Sequence, residues 1–373
     1  LPPIRALLML DRTDCVRQRI RVPAYLHAVG TAVPPHDVHG AFIAWAGTRV
    51  DDRAKPLFAR MAQRAGIAHR WSVLPGVDGA SAVDAGGFYA AAMPGTAARM
   101  AIYAAEAPAL ALAAIGSLGE QVALDGITHL VVASCTGFVA PGIDQIIARR
   151  LNLPADVERL LIGFMGCYAA VVALRTARHI VRSCPDARVL VVTVELSSLH
   201  LQAEDAVEPL LAMLQFGDGA AAALVTADPA GIELGQPFAA TLPDSADLIR
   251  WTITDTGFAM HLDGAVPGRI GQALADRAFI DTVTAGSAPG DLFWAVHAGG
   301  RSILDAVQSA LDLPGDALAA SRGVLSDNGN MSSATLMFVL ARLLAAPPAH
   351  SDGVALAFGP GLAAEGLALR RVA

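Results

Sequence analysis

Three side chains of this chain have the chemistry to make and break an acyl–sulfur bond: Cys167, His297 and Asn330. Cys167 follows Phe164-Met165-Gly166 and opens an apolar run suited to a helix. A helix N-terminus carries about half a positive charge, so Cys167 is expected to be populated as a thiolate at neutral pH. His297 ends the apolar run DLFWAVHAGG, and the glycines after it permit close approach of backbone or ligand. A histidine near a thiol holds it as thiolate and later donates a hydrogen bond to an oxyanion. Asn330, in DNGNMSSA between a loop and a helix, offers a neutral amide donor suited to a thioester oxygen.

The three residues are far apart in sequence, and an ungapped repeat brings them together. THLVVASCTG (128–137), read against DLFWAVHAGG (291–300), puts Ser134 opposite His297 and Gly137 opposite Gly300. The same displacement puts Cys167 opposite Asn330, and LVVTVE (190–195) opposite GVALAF (353–358). One register shared by three elements predicts an internally duplicated fold, with equivalent strand ends and helix starts meeting near a pseudo-twofold axis.

The elements that must position these residues alternate between strand and helix patterns. The first half reads as strand 22–30, helix 55–66, a Gly/Ala/Pro-rich loop over 72–96 and a long helix over 96–124 interrupted at Pro108. Strand 127–134, helix 142–152, strand 158–164, helix 167–183, strand 187–195 and a turn with strand over 216–228 follow. The stretch 228–237 reads as the seam. Beyond it come strand 291–296, helix 300–312, helix 332–346 and strand 353–359. This predicts an N-terminal extension (1–20), a half carrying the nucleophile (21–228) and a half carrying His and Asn (229–373), as α/β layers with helices packed on mixed sheets.

Composition narrows the function classes. The chain has 373 residues, of which 54% are hydrophobic, and much of that share is alanine, which suits a compact α/β core. No stretch of about 18 residues is both charge-free and strongly apolar, so no transmembrane span is expected. The short apolar core near the start is followed by Asp11, Arg12, Asp14 and Arg17, a poor match to a signal peptide. A net charge of −7 without a basic tract argues against nucleic acid as a partner. Four cysteines without CxxC spacing argue against a disulfide framework or a zinc site, and fit a reducing cytoplasm. No metal or redox cofactor is signalled.

In chain order, GFMGCYAA, LQFGDGAAA, WAVHAGGRSILD, LSDNGNMSSA and AFGPG resemble the type III polyketide synthases, the chalcone synthase-like family, from about residue 21 to the C-terminus. The resemblance implies a thiolase-like fold of two duplicated halves in α-β-α-β-α layers, and a homodimer. It implies Cys167 as nucleophile, His297 and Asn330 as the oxyanion and decarboxylation pair, and Phe216 as gatekeeper. Cys135, Glu195, Ser197, His200, Trp251 and Ser332 would line the pocket. An acyl-CoA starter and malonyl-CoA would be the substrates, with no separate cofactor. Arg60 and Arg64 fall on one face of helix 55–66, where the family holds the CoA phosphates. Leu57 takes the first of three basic positions there, with Lys55 as a stand-in.

Several positions depart from the plant pattern. GCYAA lacks the paired glycines, Cys135 replaces a threonine, Ala140 replaces a methionine that crosses the dimer, and Trp251 falls where plants have glycine. GFMGCYA and VELSSLHLQ resemble bacterial members that make pyrones or resorcinols. Cysteine is a weak hydrogen bonder, so a water-holding network of Cys135, Glu195 and Ser332 is expected to be impaired, with alkylpyrones leading over alkylresorcinols. The competing readings are an initiating β-ketoacyl carrier-protein synthase, which uses the same Cys, His and Asn, and an inactive acyl-binding scaffold.

Overall fold

A computed structural model describes residues 22–76 and 81–372; the extension expected over 1–20 lies outside them. Nine strands form a continuous sheet. Its first half runs, from the edge inward, Glu158–Gly163, His129–Ser134, Val189–Leu196, Asp218–Thr226 and Tyr25–Ala32. The second half continues with Ile232–Thr241, Ala363–Arg371, Asp352–Gly359 and Phe293–Val296. In each half a parallel pair leads into antiparallel neighbours: His129–Ser134 with Val189–Leu196 and then Asp218–Thr226, Phe293–Val296 with Asp352–Gly359 and then Ala363–Arg371. The halves join through the short pairing of Tyr25 with Glu233 and Leu26 with Ile232.

The sheet halves wrap two central helices, Ala169–Ser183 and Ser333–Ala345. Side-chain alternation along each strand sorts the core into layers. Val131 and Ala133 face inward with Ala170, Leu174, Leu336 and Met337, while Leu130 and Val132 face outward onto Tyr103 and Ile115 of the helix Thr96–Gly119. In the second half Ala355 and Ala357 face the central helices, and Val354 and Leu356 face Ile270, Leu304 and Val307 of the outer helices Val266–Ala275 and Arg301–Ala310. The result is α-β-α-β-α. Val189–Leu196 and Asp218–Thr226 are buried along their whole length, which is why they read as continuous apolar runs.

The repeat read from sequence is present in the backbone. Its displacement of 163 residues carries Cys167 onto Asn330, and Val189–Leu196 onto Asp352–Gly359 at both ends. Gly166 and Gly329, which precede Cys167 and Asn330, have φ of 75° and 67°. Glycine alone takes that conformation without strain, so the same left-handed step turns the chain toward the pseudo-twofold axis in each half.

One expectation is corrected. The helix Thr96–Gly119 is continuous through the buried Pro108; its packing on the sheet outweighs the hydrogen bond that proline removes. By length and composition alone this helix is apolar enough to cross a membrane, yet Tyr103, Ala107, Ala111, Ala114 and Leu118 bury its face in the core. The stretch expected as the seam, 228–237, contains the start of the strand Ile232–Thr241, which pairs the second half to the first. The region 238–290, whose sequence mixes polar and apolar residues without a clear period, forms a separate hairpin, Ile249–Thr254 with Gly257–Leu262, and the helices Val266–Ala275 and Arg277–Thr284.

Candidate active site

Cys167, the expected nucleophile, sits at the sheet–helix boundary. Cys167 lies in the tight turn Gly166–Tyr168, which runs into the helix Ala169–Ser183, and is buried. Asn330 Nδ2 lies 4.0 Å from Cys167 Sγ and 3.2 Å from the carbonyl of Gly299, so its two hydrogens are divided between the thiol and the loop that carries His297. The amide orientation is fixed from the other end, because Asn330 Oδ1 accepts from Ser332 N at 2.8 Å and from Thr335 Oγ1 at 3.4 Å. The Asn330 backbone is clamped to the segment around Phe216: Asn330 N donates to Gln215 O at 2.7 Å and Gly217 N donates to Asn330 O at 3.0 Å. His297 ends its strand beside Gly299, whose N–H donates to His297 O at 2.9 Å. Both His297 ring nitrogens are buried without a hydrogen-bond partner among the described residues. Buried polar atoms are normally paired, so a substrate oxygen is the natural occupant.

Burial sets the charge state here. It pushes the Cys167 thiol up to about 11, with hydrogen bonds from Ser332 and Asn330 opposing and the nearby Glu195 reinforcing the rise. It pushes the His297 imidazole down to about 3. Desolvation therefore opposes the helix-terminus effect expected to populate the thiolate, and both shifts favour the neutral forms.

The family profile of chalcone and stilbene synthases, N-terminal domain, matches residues 12–229, and the C-terminal domain profile matches residues 233–373. This chain belongs to the chalcone and stilbene synthases. A rice (Oryza sativa subsp. japonica) protein, type III polyketide synthase 10, is 36% identical over 70% of this chain and 69% of its own length. Rice bisdemethoxycurcumin synthase is 36% identical over 74% of each. Among solved structures, PKS-I from the brown alga Ectocarpus siliculosus superposes with a TM-score of 0.84 at 29% identity, covering 94% of this chain and 98% of that one. The C-terminal type III polyketide synthase domain of the Dictyostelium hybrid Steely1 gives 0.85 at 26% identity, covering 94% and 100%. The chain is thus a type III polyketide synthase with a thiolase-like fold, an acyltransferase, and this decides against the carrier-protein synthase reading.

Beside Cys167 is a cavity of about 380 Å³, counted to its open mouth, lined by Cys135, Phe164, Ser197, Phe216, Trp251, Met260, Ser332 and others. Ser332 has φ of 47°, a strained conformation for a residue with a side chain. It offers its N–H to Asn330 Oδ1 while its hydroxyl lies 3.2 Å from Cys135 Sγ and acts on Cys167. Cys135 Sγ in turn donates to Glu195 Oε1 at 3.3 Å, so Glu195, Cys135 and Ser332 are linked through sulfur contacts. Glu195 is fully buried and also accepts from Cys135 N at 3.0 Å, from Thr136 Oγ1 at 2.9 Å and from Ser333 Oγ. Burial pushes its carboxyl up, and those hydrogen bonds oppose the shift.

His200 lines a larger cavity beside the smaller one at Cys167. Its Nδ1 accepts from Phe258 N at 3.0 Å, which leaves the proton on Nε2 to donate to Thr136 O at 2.7 Å, and its ring stacks on Phe258. Lys55, Arg60 and Arg64 lie on the helix Lys55–Arg64 and are exposed. Lys55 is paired with Asp52 at 2.8 Å, while Arg301 Nη1 donates to the carbonyl of Arg64 at 3.3 Å.

Sequence reading missed Thr136, Ser333 and Arg70. The first two adjoin Cys135 and Ser332, so their hydroxyls were visible but not their direction. Arg70 carries no motif. It is buried, donates from Nη1 to the carbonyls of Phe216 at 2.7 Å and Met213 at 3.1 Å, and so holds the segment that clamps Asn330.

Proposed function

We propose that this synthase loads an aliphatic acyl-CoA starter on Cys167, extends it with malonyl-CoA, and releases mainly tri- or tetraketide pyrones, with resorcinols minor. The placement of Asn330 Nδ2 between Cys167 Sγ and the His297 loop carries this reading. The Cys167 sulfur displaces CoA from the starter thioester. Malonyl-CoA then loses CO₂, and its thioester oxygen takes the enolate charge against Asn330 Nδ2 and His297, donors that act only as charge develops. The enolate carbon attacks the acyl-cysteine carbonyl and frees the Cys167 thiol for the next transfer. Arg60 and Arg64 would hold the CoA phosphates.

Lactonisation needs only an enol oxygen and the chain's own thioester. Ring closure after hydrolysis needs an activated water, and the network that would hold it runs through the long sulfur contacts of Cys135. That favours the pyrone. A homodimer is supported by the edge strand Glu158–Gly163, which exposes Leu160 and Leu161 beside Phe138; a second copy would cover that apolar surface and its open edge.

The test is mass spectrometry of products from a panel of acyl-CoA starters with malonyl-CoA. Pyrones are expected from the wild-type enzyme and none from Cys167→Ala. Products dominated by chalcone-type or phloroglucinol rings would overturn the product reading. Absence of malonyl-CoA decarboxylation would instead indicate an inactive acyl-binding scaffold.

A further inference from the structure

Arg70 reaches the backbone of Asn330 by two routes. It is 3% exposed, and burial pushes its guanidinium down to about 10, so it is a cation at pH 7. On the first route its Nη1 donates to Phe216 O at 2.7 Å. That carbonyl and the N–H of Gly217 belong to one planar peptide unit, and the N–H donates to Asn330 O at 3.0 Å. A charged donor on a peptide oxygen strengthens the bond made by the same peptide's N–H. Nη1 also donates to Met213 O at 3.1 Å, which fixes the start of the segment, and within it Gln215 O accepts from Asn330 N at 2.7 Å. On the second route the Arg70 stem packs behind the left-handed step at Gly329. Its Cγ and Cδ lie 2.9 and 3.2 Å from where a Cβ on Gly329 would sit.

His39 aims the guanidinium. Its Nδ1 accepts from Arg70 Nε at 3.0 Å. Burial, reinforced by the Arg70 charge, pushes the buried His39 down to about 4, so its imidazole is neutral and can accept. Both routes end at Asn330, whose amide must meet a charge that develops only in the transition state. A donor misplaced by about 1 Å loses most of that effect. Resting on the polyketide reading above, in which Asn330 Nδ2 meets the malonyl thioester oxygen, we propose that Arg70, aimed by His39, is a positioning residue for decarboxylation. It holds the Asn330 amide where the enolate oxygen forms, and loading of the starter on Cys167 does not depend on it.

The experiment measures kcat and KM for malonyl-CoA decarboxylation, and acylation of Cys167 by one aliphatic acyl-CoA as a mass increment on the protein. Arg70→Lys keeps a stem and a charge but lacks the fork that spans Phe216 O and His39 Nδ1. It is expected to lower the decarboxylation kcat about tenfold, with KM and acylation unchanged. Added to Asn330→Ala it is expected to cost nothing further, because Arg70 acts through that amide. His39→Leu is expected to reproduce the loss, and His39→Asn, which returns an acceptor near the Nδ1 position, to recover it; this pair decides the matter if Arg70→Lys does not fold. An unchanged kcat in Arg70→Lys, an equal loss of acylation, a further loss on the Asn330→Ala background, or a His39→Asn variant no better than His39→Leu would overturn the positioning role and leave the synthase reading in place. A wild-type enzyme without decarboxylation, or an Asn330→Ala variant as fast as the wild type, would overturn the reading on which it rests.

Discussion

The Cys135 thiol lies 3.2 Å from the Ser332 hydroxyl and so links the buried Glu195 to Ser332. Cys135 has one proton, and its geometry gives that proton to Glu195. Ser332 must therefore donate its own, and both Cys135 and Cys167 are within its influence. Threonine at position 135 would replace long sulfur contacts with shorter hydroxyl ones. Cys135→Thr is expected to raise the resorcinol share at the expense of pyrone, on the order of a few-fold. The product ratio by mass spectrometry measures it, and an unchanged ratio would show that the position does not govern ring closure.

Asn330 and His297 differ in what they offer. Asn330 is a pure donor held by Ser332 and Gly299, whereas His297 also accepts a proton. Asn330→Ala is expected to lower malonyl-CoA decarboxylation on the order of 10²-fold and to retain acylation of Cys167, read as a mass increment on the protein. His297→Ala is expected to lose both. Equal acylation defects in the two variants would count against this division.

The charge state of the pair gives a pH signature. With the thiol pushed up to about 11 and the imidazole down to about 3, both are neutral at pH 7. Below pH 11, loss of the Cys167 proton to solvent becomes about tenfold more favourable with each unit the pH rises. Transfer of that proton to His297 leaves net charge unchanged and has no pH dependence of its own, and with these two values it is the far smaller source of thiolate. Iodoacetamide labelling of Cys167, followed by peptide mass spectrometry, is therefore expected to climb about tenfold per unit between about pH 6 and about pH 9. A wild-type rate that is flat over that range and climbs only in His297→Ala would show instead that His297 holds the thiolate as an ion pair. Exposed Cys184 serves as the internal reference.

Much of the architecture was legible because the chain states it twice. The shared displacement placed Cys167 with Asn330 before any fold was known, and the left-handed Gly166 and Gly329 show why both copies kept glycine there. The strands buried on both faces were readable as apolar runs. The hairpin Ile249–Thr254 with Gly257–Leu262 was not, because its half-exposed strands mix polar and apolar residues without clean alternation. The thiol's direction was not legible either. Helix position is a local property, while the burial that opposes it comes from elements distant in sequence, such as Pro360 beside Gly166 and Asn330 beside the thiol. Arg70 was missed for the same reason, since its partners Met213 and Phe216 lie over 140 residues away.

The hairpin has a consequence for how product choice can change over time. It forms its own two-stranded sheet, outside the nine-stranded one, and contributes Trp251, Phe258, Ala259 and Met260 to the cavity walls. Cys167 and Asn330, by contrast, sit at the starts of two helices locked in the centre of the molecule. Mutations in the hairpin therefore explore new chamber shapes at little risk to the bond-forming atoms, whereas mutations under those atoms disturb the whole core. Chemistry is the inherited part of this synthase and cavity shape the adjustable part, so a swap of residues 249–262 between relatives is a route to new rings that leaves the reaction itself intact.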